Sequence, residues 1–113
     1  MKYVKLGNTD ISVSRICVGG MSFGQVVEGG HQWLLNEKGT EEMLAHAFDL
    51  GVNFIDTANT YAKGTSEEYI GRALKKLGIP RDKAVIATKV FFNEGCLKRE
   101  AIFREIDASL GWW

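Results

Sequence analysis

The sequence has no excess charge of either sign, no long apolar run and no cluster of cysteines. Its 14 basic residues are balanced by 14 acidic ones, and no basic run gives electrostatic support for nucleic-acid binding. No uninterrupted apolar segment approaches the roughly 20 residues that span a membrane. Lys2 and Lys5 interrupt the only early apolar stretch, which argues against a signal peptide. We therefore expect a cytoplasmic protein that binds neither nucleic acid nor membranes.

Only two cysteines are present, and they lie far apart at Cys17 and Cys96. They form no metal-spaced pair, so no metal site is predicted. We expect a buried thiol in a strand and a second thiol in a loop, in preference to a disulfide.

The apolar pattern predicts a hairpin followed by alternating strands and helices. Residues Lys2 to Leu6 and Ile11 to Val13 flank a turn-rich tetrapeptide, which is a hairpin signal. The later predicted strands end near Gly19, Asp56 and Lys89, with a repeat of about 35 residues. Such βαβαβα alternation predicts parallel strands joined by right-handed crossovers.

Three helices are expected between and after these strands. Thr40 and Ser66 are predicted N-caps, each followed by two glutamates that favour the helix dipole. In the first helix Met43, Leu44, Ala47 and Phe48 are expected to share the buried face. The third helix, from about Lys98 to Leu110, is expected to pack through a set of apolar residues at helical spacing: Ile102, Phe103, Ile106 and Leu110.

Two side chains with chemical potential follow the second parallel strand. Asp56 comes where the apolar run of Val52, Phe54 and Ile55 ends, and Tyr61 follows in a polar loop. In a parallel α/β barrel, side chains at the carboxyl ends of strands reach the active site. Taken singly, these residues favour the simpler interpretation, in which Asp56 is a loop-capping carboxylate and Tyr61 a half-exposed loop aromatic.

The long loop from Met21 to Gly39 is rich in glycine and carries Trp33. A loop of this length in a compact domain is usually functional or poorly ordered. Trp33 either lines a substrate pocket or anchors the loop through its large apolar area. Phe91 and Phe92 likewise either border a pocket or belong to the core.

The run GVNFIDTANTYAKGTSEEYIGRAL (Gly51–Leu74) resembles the signature of the aldo-keto reductases, which are NADPH-dependent carbonyl reductases on a TIM barrel. LGNTDISVSRICVGGMSFG and AVIATKVF are similar to the opening hairpin with the first strand, and to the third strand, of that family. The resemblance implies an α/β fold, a partial (β/α)8 TIM barrel in which residues 1–113 form the N-terminal part of one domain.

The resemblance also implies site residues. It places three of the family's four catalytic groups on Asp56, Tyr61 and Lys89, and it implies that Gly20, Met21 and Asp56 contact NADPH. A lysine ammonium at about 4 Å stabilises a tyrosine phenolate by roughly 4 kcal/mol at an effective dielectric near 20, so the lysine would help the tyrosine to donate a proton. The family's fourth group, a histidine, has no counterpart, because His31 and His46 lie elsewhere in the pattern.

The expected function is therefore reduction of aldehydes or ketones to alcohols. A complete barrel needs about 250 residues, so we expect this chain to be an N-terminal portion that is weakly active or inactive alone. Unpaired sheet edges would favour self-association. The alternatives are a non-catalytic NADPH-binding regulatory subunit, similar to ion-channel auxiliary subunits, and a vestigial fragment.

Overall fold

The turn-rich tetrapeptide near the N-terminus closes a two-stranded antiparallel hairpin, as predicted. The computed structural model describes residues 1–113. In it β1 (Tyr3–Lys5) pairs with β2 (Ser12–Ser14), with Val4 opposite Val13. The Tyr3 hydroxyl donates a hydrogen bond of 2.6 Å to the Gly51 carbonyl. The hairpin is thus fastened to the end of the first helix.

Three parallel strands and three helices follow in alternation. The strands are β3 (Val18–Gly19), β4 (Phe54–Asp56) and β5 (Val85–Ala87), in the order β3-β4-β5. The helices are α1 (Glu37–Asp49), α2 (Thr65–Lys76) and α3 (Arg99–Leu110). The predicted fold class is confirmed, because a parallel sheet with intervening helices is part of a (β/α)8 barrel. None of the three helices reaches the length and apolarity that crossing a membrane requires.

The core lies between the parallel sheet and helices α1 and α2. Ile55 is fully buried at the centre of β4, together with Leu44 of α1 and Ile70 of α2. Side chains alternate along a strand, so Phe54 and Asp56 point to the opposite face, where both are only half-buried. The polar end of β4 therefore lies on the face that would form the barrel interior.

Both predicted N-caps are wrong. The N-cap of α1 lies one turn earlier, at Asn36, whose side chain accepts a hydrogen bond from the Gly39 amide. Thr40 is buried inside the helix, and its hydroxyl donates a hydrogen bond to the Asn36 carbonyl. Ser66 also lies inside its helix, because α2 begins at Thr65 after a left-handed Gly64. The Thr40 hydroxyl bonds back to its own helix, and the Ser66 hydroxyl bonds to a distant part of the chain. Both kinds of hydrogen bond compete with capping.

The expected buried faces of α1 and α3 also need correction. Met43 is 47% exposed, although Leu44 and Ala47 are buried as predicted. In α3, three of the four apolar residues predicted to pack are exposed: Ile102, Phe103 and Leu110. The helix instead turns Ala101, Glu105 and Ser109, spaced four residues apart, towards the molecule. Glu105 accepts a hydrogen bond from Asn59 and Ser109 donates one to Glu67, and these contacts fix this orientation.

The segment after α3 packs on α2. Trp113 lines a pocket of about 160 Å³ together with Gly71, Leu74 and Ile79. A Cβ at Gly71 would lie 2.4 Å from the Trp112 carbonyl oxygen. The close approach of this segment therefore depends on glycine at position 71.

We expect the isolated chain to self-associate through its sheet edges and apolar surfaces. The outer edges of β3 and β5 are unpaired, and only 22 of 113 residues are buried. Phe103 and Leu110 are both more than half exposed. Open edges and exposed apolar surface both promote association. Light scattering should show a mass that rises with concentration, whereas a monomer with cooperative unfolding would contradict the expectation.

Candidate active site

The three predicted catalytic residues lie at the carboxyl ends of neighbouring strands. Asp56 is the last residue of β4, and Lys89 follows β5 by two residues. Tyr61 opens a short 3-10 turn in the loop between β4 and α2. Because β4 and β5 are parallel and adjacent, their ends present these side chains at one edge of the sheet.

The Lys89 ammonium contacts both of the other groups. Its Nζ atom lies 2.8 Å from Oδ2 of Asp56 and donates a second hydrogen bond, also 2.8 Å, to the Thr57 carbonyl. The same atom lies 5.2 Å from the centroid of the Tyr61 ring, a cation–π distance. The structure thus brings Asp56, Tyr61 and Lys89 together, as the resemblance implies.

The surroundings of Lys89 favour its charged form. Partial burial opposes the charge, but the hydrogen bond and negative charge of Asp56 outweigh it, and Tyr61 adds to their effect. The net result is that the pKa of Lys89 is raised above its ordinary value. A side chain that is about half exposed therefore keeps a fixed positive charge beside the tyrosine.

Cys17 lies near the same carboxylate and is exposed, not buried as predicted. Partial burial of the sulfur, followed by the negative charge of Asp56, raises the pKa of the Cys17 thiol. The thiolate is the nucleophilic form of cysteine. The thiol is therefore poorly suited to act as a nucleophile in this site.

The turn that carries Tyr61 is strained. Ala62 and Lys63 have φ values of 49° and 55°, in the left-handed region that costs L-residues roughly 1–2 kcal/mol each. The Thr65 hydroxyl donates a hydrogen bond of 2.7 Å to the Ala62 carbonyl and accepts one of 2.8 Å from the Gln25 amide. Thr65 thereby joins the Tyr61 turn to the loop after β3.

A second set of contacts holds the loop between Asp56 and Tyr61 from the other side. The Asn59 amide donates to the Lys89 carbonyl at 3.2 Å. The Asn59 side chain donates to Oε2 of Glu105 at 2.9 Å, and Asn93 donates to the same oxygen at 2.7 Å. Sequence reasoning gave Asn59 no role, because its partner lies 46 residues away in α3.

The Glu105 contacts predict a pH dependence of stability. Hydrogen bonds from Asn93 and Arg104, reinforced by Asn59, lower the pKa of the Glu105 carboxyl despite the opposing effect of burial. A carboxyl whose pKa is lowered by folding stabilises the folded state at pH values above its ordinary pKa of about 4.3. This contribution is lost as the pH falls through the lowered pKa. We expect Glu105→Gln to be less stable than the wild type at neutral pH, with the difference shrinking in acid. Urea unfolding at several pH values measures it, and a difference independent of pH would contradict it.

The strand end beside Asp56 differs in openness between its two glycines. Gly19 pairs with Asp56, and a Cβ at Gly19 would have no other atom within 4 Å. Gly20 is enclosed instead, since a Cβ there would lie 2.9 Å from Thr57. The Met21 side chain is 44% exposed next to this strand end. Gly19 is thus the open position of this strand end, and the contacts of Gly20, Met21 and Asp56 with NADPH stay a prediction.

Two pockets border Tyr61. One, of about 380 Å³, is lined by Tyr61, Lys89, Phe91 and Phe92. The other, of about 230 Å³, is lined by residues of the long loop, including His31. Trp33 is 56% exposed and stacks on His31 with ring centroids 4.7 Å apart. Phe91 and Phe92 therefore border a pocket instead of the core, while Trp33 supports the loop that flanks the second pocket.

Similarities to known proteins agree with this arrangement. The chain is 41% identical, over 82% of its length, to versiconal hemiacetal acetate reductase of Aspergillus parasiticus. It is 38% identical, over 97% of its length, to a protein of Arabidopsis thaliana named "Probable voltage-gated potassium channel subunit beta". The chain spans 26% of the first relative and 33% of the second.

A solved structure shows the same likeness in three dimensions. An aldo-keto reductase from Bacillus halodurans, solved in its holo form, superposes with a TM-score of 0.77 at 28% identity. The match covers 99% of this chain and 36% of that structure. The model of the aldo/keto reductase family matches residues 15–111. The chain belongs to the aldo/keto reductase family.

Proposed function

We propose that the site serves the NADPH-dependent reduction of aldehydes or ketones to alcohols. The observation that carries this proposal is the Lys89 ammonium, which contacts the Asp56 carboxylate and lies over the Tyr61 ring at one edge of the sheet. Protonation of a reduced carbonyl requires an acid. A cation beside the acid, oriented by a carboxylate, assists the loss of its proton.

In this proposal each side chain has one role. Tyr61 holds a proton at its hydroxyl and donates it to the substrate oxygen. Lys89 favours loss of that proton by stabilising the phenolate, and Asp56 keeps the ammonium charged and directed at the ring. NADPH, when bound, supplies the hydride to the carbonyl carbon. Gly20, Met21 and Asp56 would hold its nicotinamide end beside the open backbone at Gly19.

The substrate would enter through the pocket of about 380 Å³ that contains Tyr61 and Lys89. Its wall beyond Lys89 is aromatic, because Phe91 and Phe92 pack edge to face with centroids 5.0 Å apart. Such a wall favours the apolar part of a carbonyl compound. The reacting carbonyl would then lie at the polar end of the pocket, next to Tyr61.

A second candidate is an NADPH-binding subunit without catalysis. It is favoured by the relative from Arabidopsis thaliana, whose name describes a potassium channel subunit. This chain spans 33% of that relative. A subunit role for the whole protein is therefore proposed together with the binding of NADPH. The two candidates share the cofactor and differ in turnover.

Two measurements on a preparation of a complete barrel that includes this chain separate these candidates, because the chain alone is expected to be weakly active or inactive. Fluorescence titration of NADPH tests binding, and loss of NADPH absorbance with a panel of aldehydes tests turnover. Binding with turnover supports the reductase, and binding without turnover supports the second candidate. Absence of both in the complete barrel would overturn the proposal.

A further inference from the structure

Helix α2 carries a buried carboxylate that the proposed reaction does not use. Glu67 is only 3% exposed. Its Oε1 atom accepts a hydrogen bond of 2.6 Å from the Thr88 hydroxyl, and its Oε2 atom accepts one of 2.9 Å from the Ser109 hydroxyl. Burying a carboxylate is costly unless its oxygens are well satisfied. Here neutral hydroxyls from the segment after β5 and from α3 satisfy it, so a single side chain of α2 connects to two other parts of the chain.

One of these two contacts acts immediately beside Lys89. Thr88 directly precedes Lys89 in the segment after β5, and the side chains of these two neighbours contact different parts of the molecule. The Thr88 hydroxyl thus points towards α2, while the Lys89 side chain crosses to Asp56 and Tyr61. Fixing the Thr88 side chain fixes the rotation of the backbone from which Lys89 extends.

Backbone hydrogen bonds hold only part of the segment that contains Thr88 and Lys89. The Thr57 amide donates to the Ala87 carbonyl at 2.8 Å, and the Asn59 amide donates to the Lys89 carbonyl at 3.2 Å. These bonds lie on either side of Thr88. The short bond from Thr88 to Glu67 is therefore the side-chain contact that holds the residue between them.

We propose that Glu67 is a positioning residue, which directs the Lys89 ammonium towards Asp56 and Tyr61 through the Thr88 hydroxyl. This inference rests on the proposed function for its catalytic meaning, because there Lys89 is the group that assists Tyr61. The geometric claim itself concerns the direction of one lysine side chain and is measurable without cofactor or substrate.

The test is the rate at which an amine-reactive acylating reagent modifies Lys89, read by peptide mass spectrometry. Thr88→Val removes the hydroxyl, keeps the side-chain shape and leaves the Glu67 charge in place. If Lys89 then loses its ordered contact with Asp56, its amine becomes more available, and we expect about a threefold faster modification. Glu67→Met should give a similar increase in the rate of Lys89 modification. The variant that combines Thr88→Val with Glu67→Met should be modified only slightly faster than either single variant, because both substitutions remove the same contact.

Matched controls separate positioning from general loosening. Ser109→Ala removes the other hydrogen bond of the same carboxylate and should leave the rate of Lys89 modification unchanged. Thr88→Ser keeps a hydroxyl at position 88 and should give the wild-type rate. Lys76, whose Nζ pairs with Glu41 of α1 at 2.5 Å, is an internal reporter, because unfolding would break that ion pair. Equal Lys89 rates in Thr88→Val and wild type, or parallel increases at Lys76, would overturn the proposal. Failure of NADPH turnover would leave this result intact, so the two proposals fail separately.

Discussion

Tyr61→Phe, made in a complete barrel that includes this chain, should lower the rate of carbonyl reduction by about 10²–10⁴-fold, which is the contribution typical of a general acid. The substitution removes one oxygen and keeps the ring that lies 5.2 Å from the Lys89 Nζ atom. The cation–π contact and the ion pair between Lys89 and Asp56 should therefore persist. Since the hydroxyl is proposed to act only on the reacting carbonyl, NADPH affinity should be unchanged. Turnover assays with an aldehyde, together with NADPH fluorescence titration, measure both quantities.

Tyr69→Phe is the matched control, because Tyr69 is a half-buried tyrosine of α2 outside the site. It loses the same oxygen and should retain the wild-type rate and affinity. If Tyr61→Phe turned over near the wild-type rate, another group would have to protonate the product. If it instead lost NADPH binding, the hydroxyl would be a cofactor contact.

The parts of the fold that sequence predicted well are those set by local patterns. Strands β3 and β4 are short apolar runs that end at Gly19 and Asp56 as predicted, while β5 ends at Ala87, two residues before the predicted end near Lys89. Parallel pairing of adjacent strands then brings Asp56 and Lys89 to one edge. The roles of these residues came from the family resemblance, since a strand-end Asp or Lys taken singly is uninformative.

The parts that sequence missed are contacts between distant segments. Glu105 of α3 meets Asn59 across 46 residues, and Ser109 meets Glu67 across 42. These hydrogen bonds turn the polar edge of α3 inward and leave Phe103 outside. Helical periodicity reports which residues are apolar, and it cannot report a hydrogen-bond partner on another element. The spacing of Ala101, Glu105 and Ser109 was the available signal.

Gly24→Ala is expected to destabilise the protein by about 2–4 kcal/mol, through overpacking and backbone strain together. Gly24 has a φ of 137°, and a Cβ there would lie 2.2 Å from Cβ of Ala62 and 2.8 Å from Oγ1 of Thr65. Neither neighbour moves freely, because Thr65 is bonded to both the Ala62 carbonyl and the Gln25 amide. The added methyl group should therefore push the Tyr61 turn away from the loop after β3. Urea unfolding measures the change in the free energy of unfolding.

Two further variants separate the contributions of overpacking and of backbone strain to this loss of stability. Gly29 lies in the same loop with a φ of 76° and open space around it, so Gly29→Ala should cost only the backbone strain, about 1 kcal/mol. Adding Ala62→Gly to Gly24→Ala removes the carbon that the new methyl group strikes and also relieves the left-handed alanine at φ 49°. The double variant should regain most of the lost stability. If Gly24→Ala cost no more than Gly29→Ala, the close packing of the two loops would not be what holds Tyr61 in place.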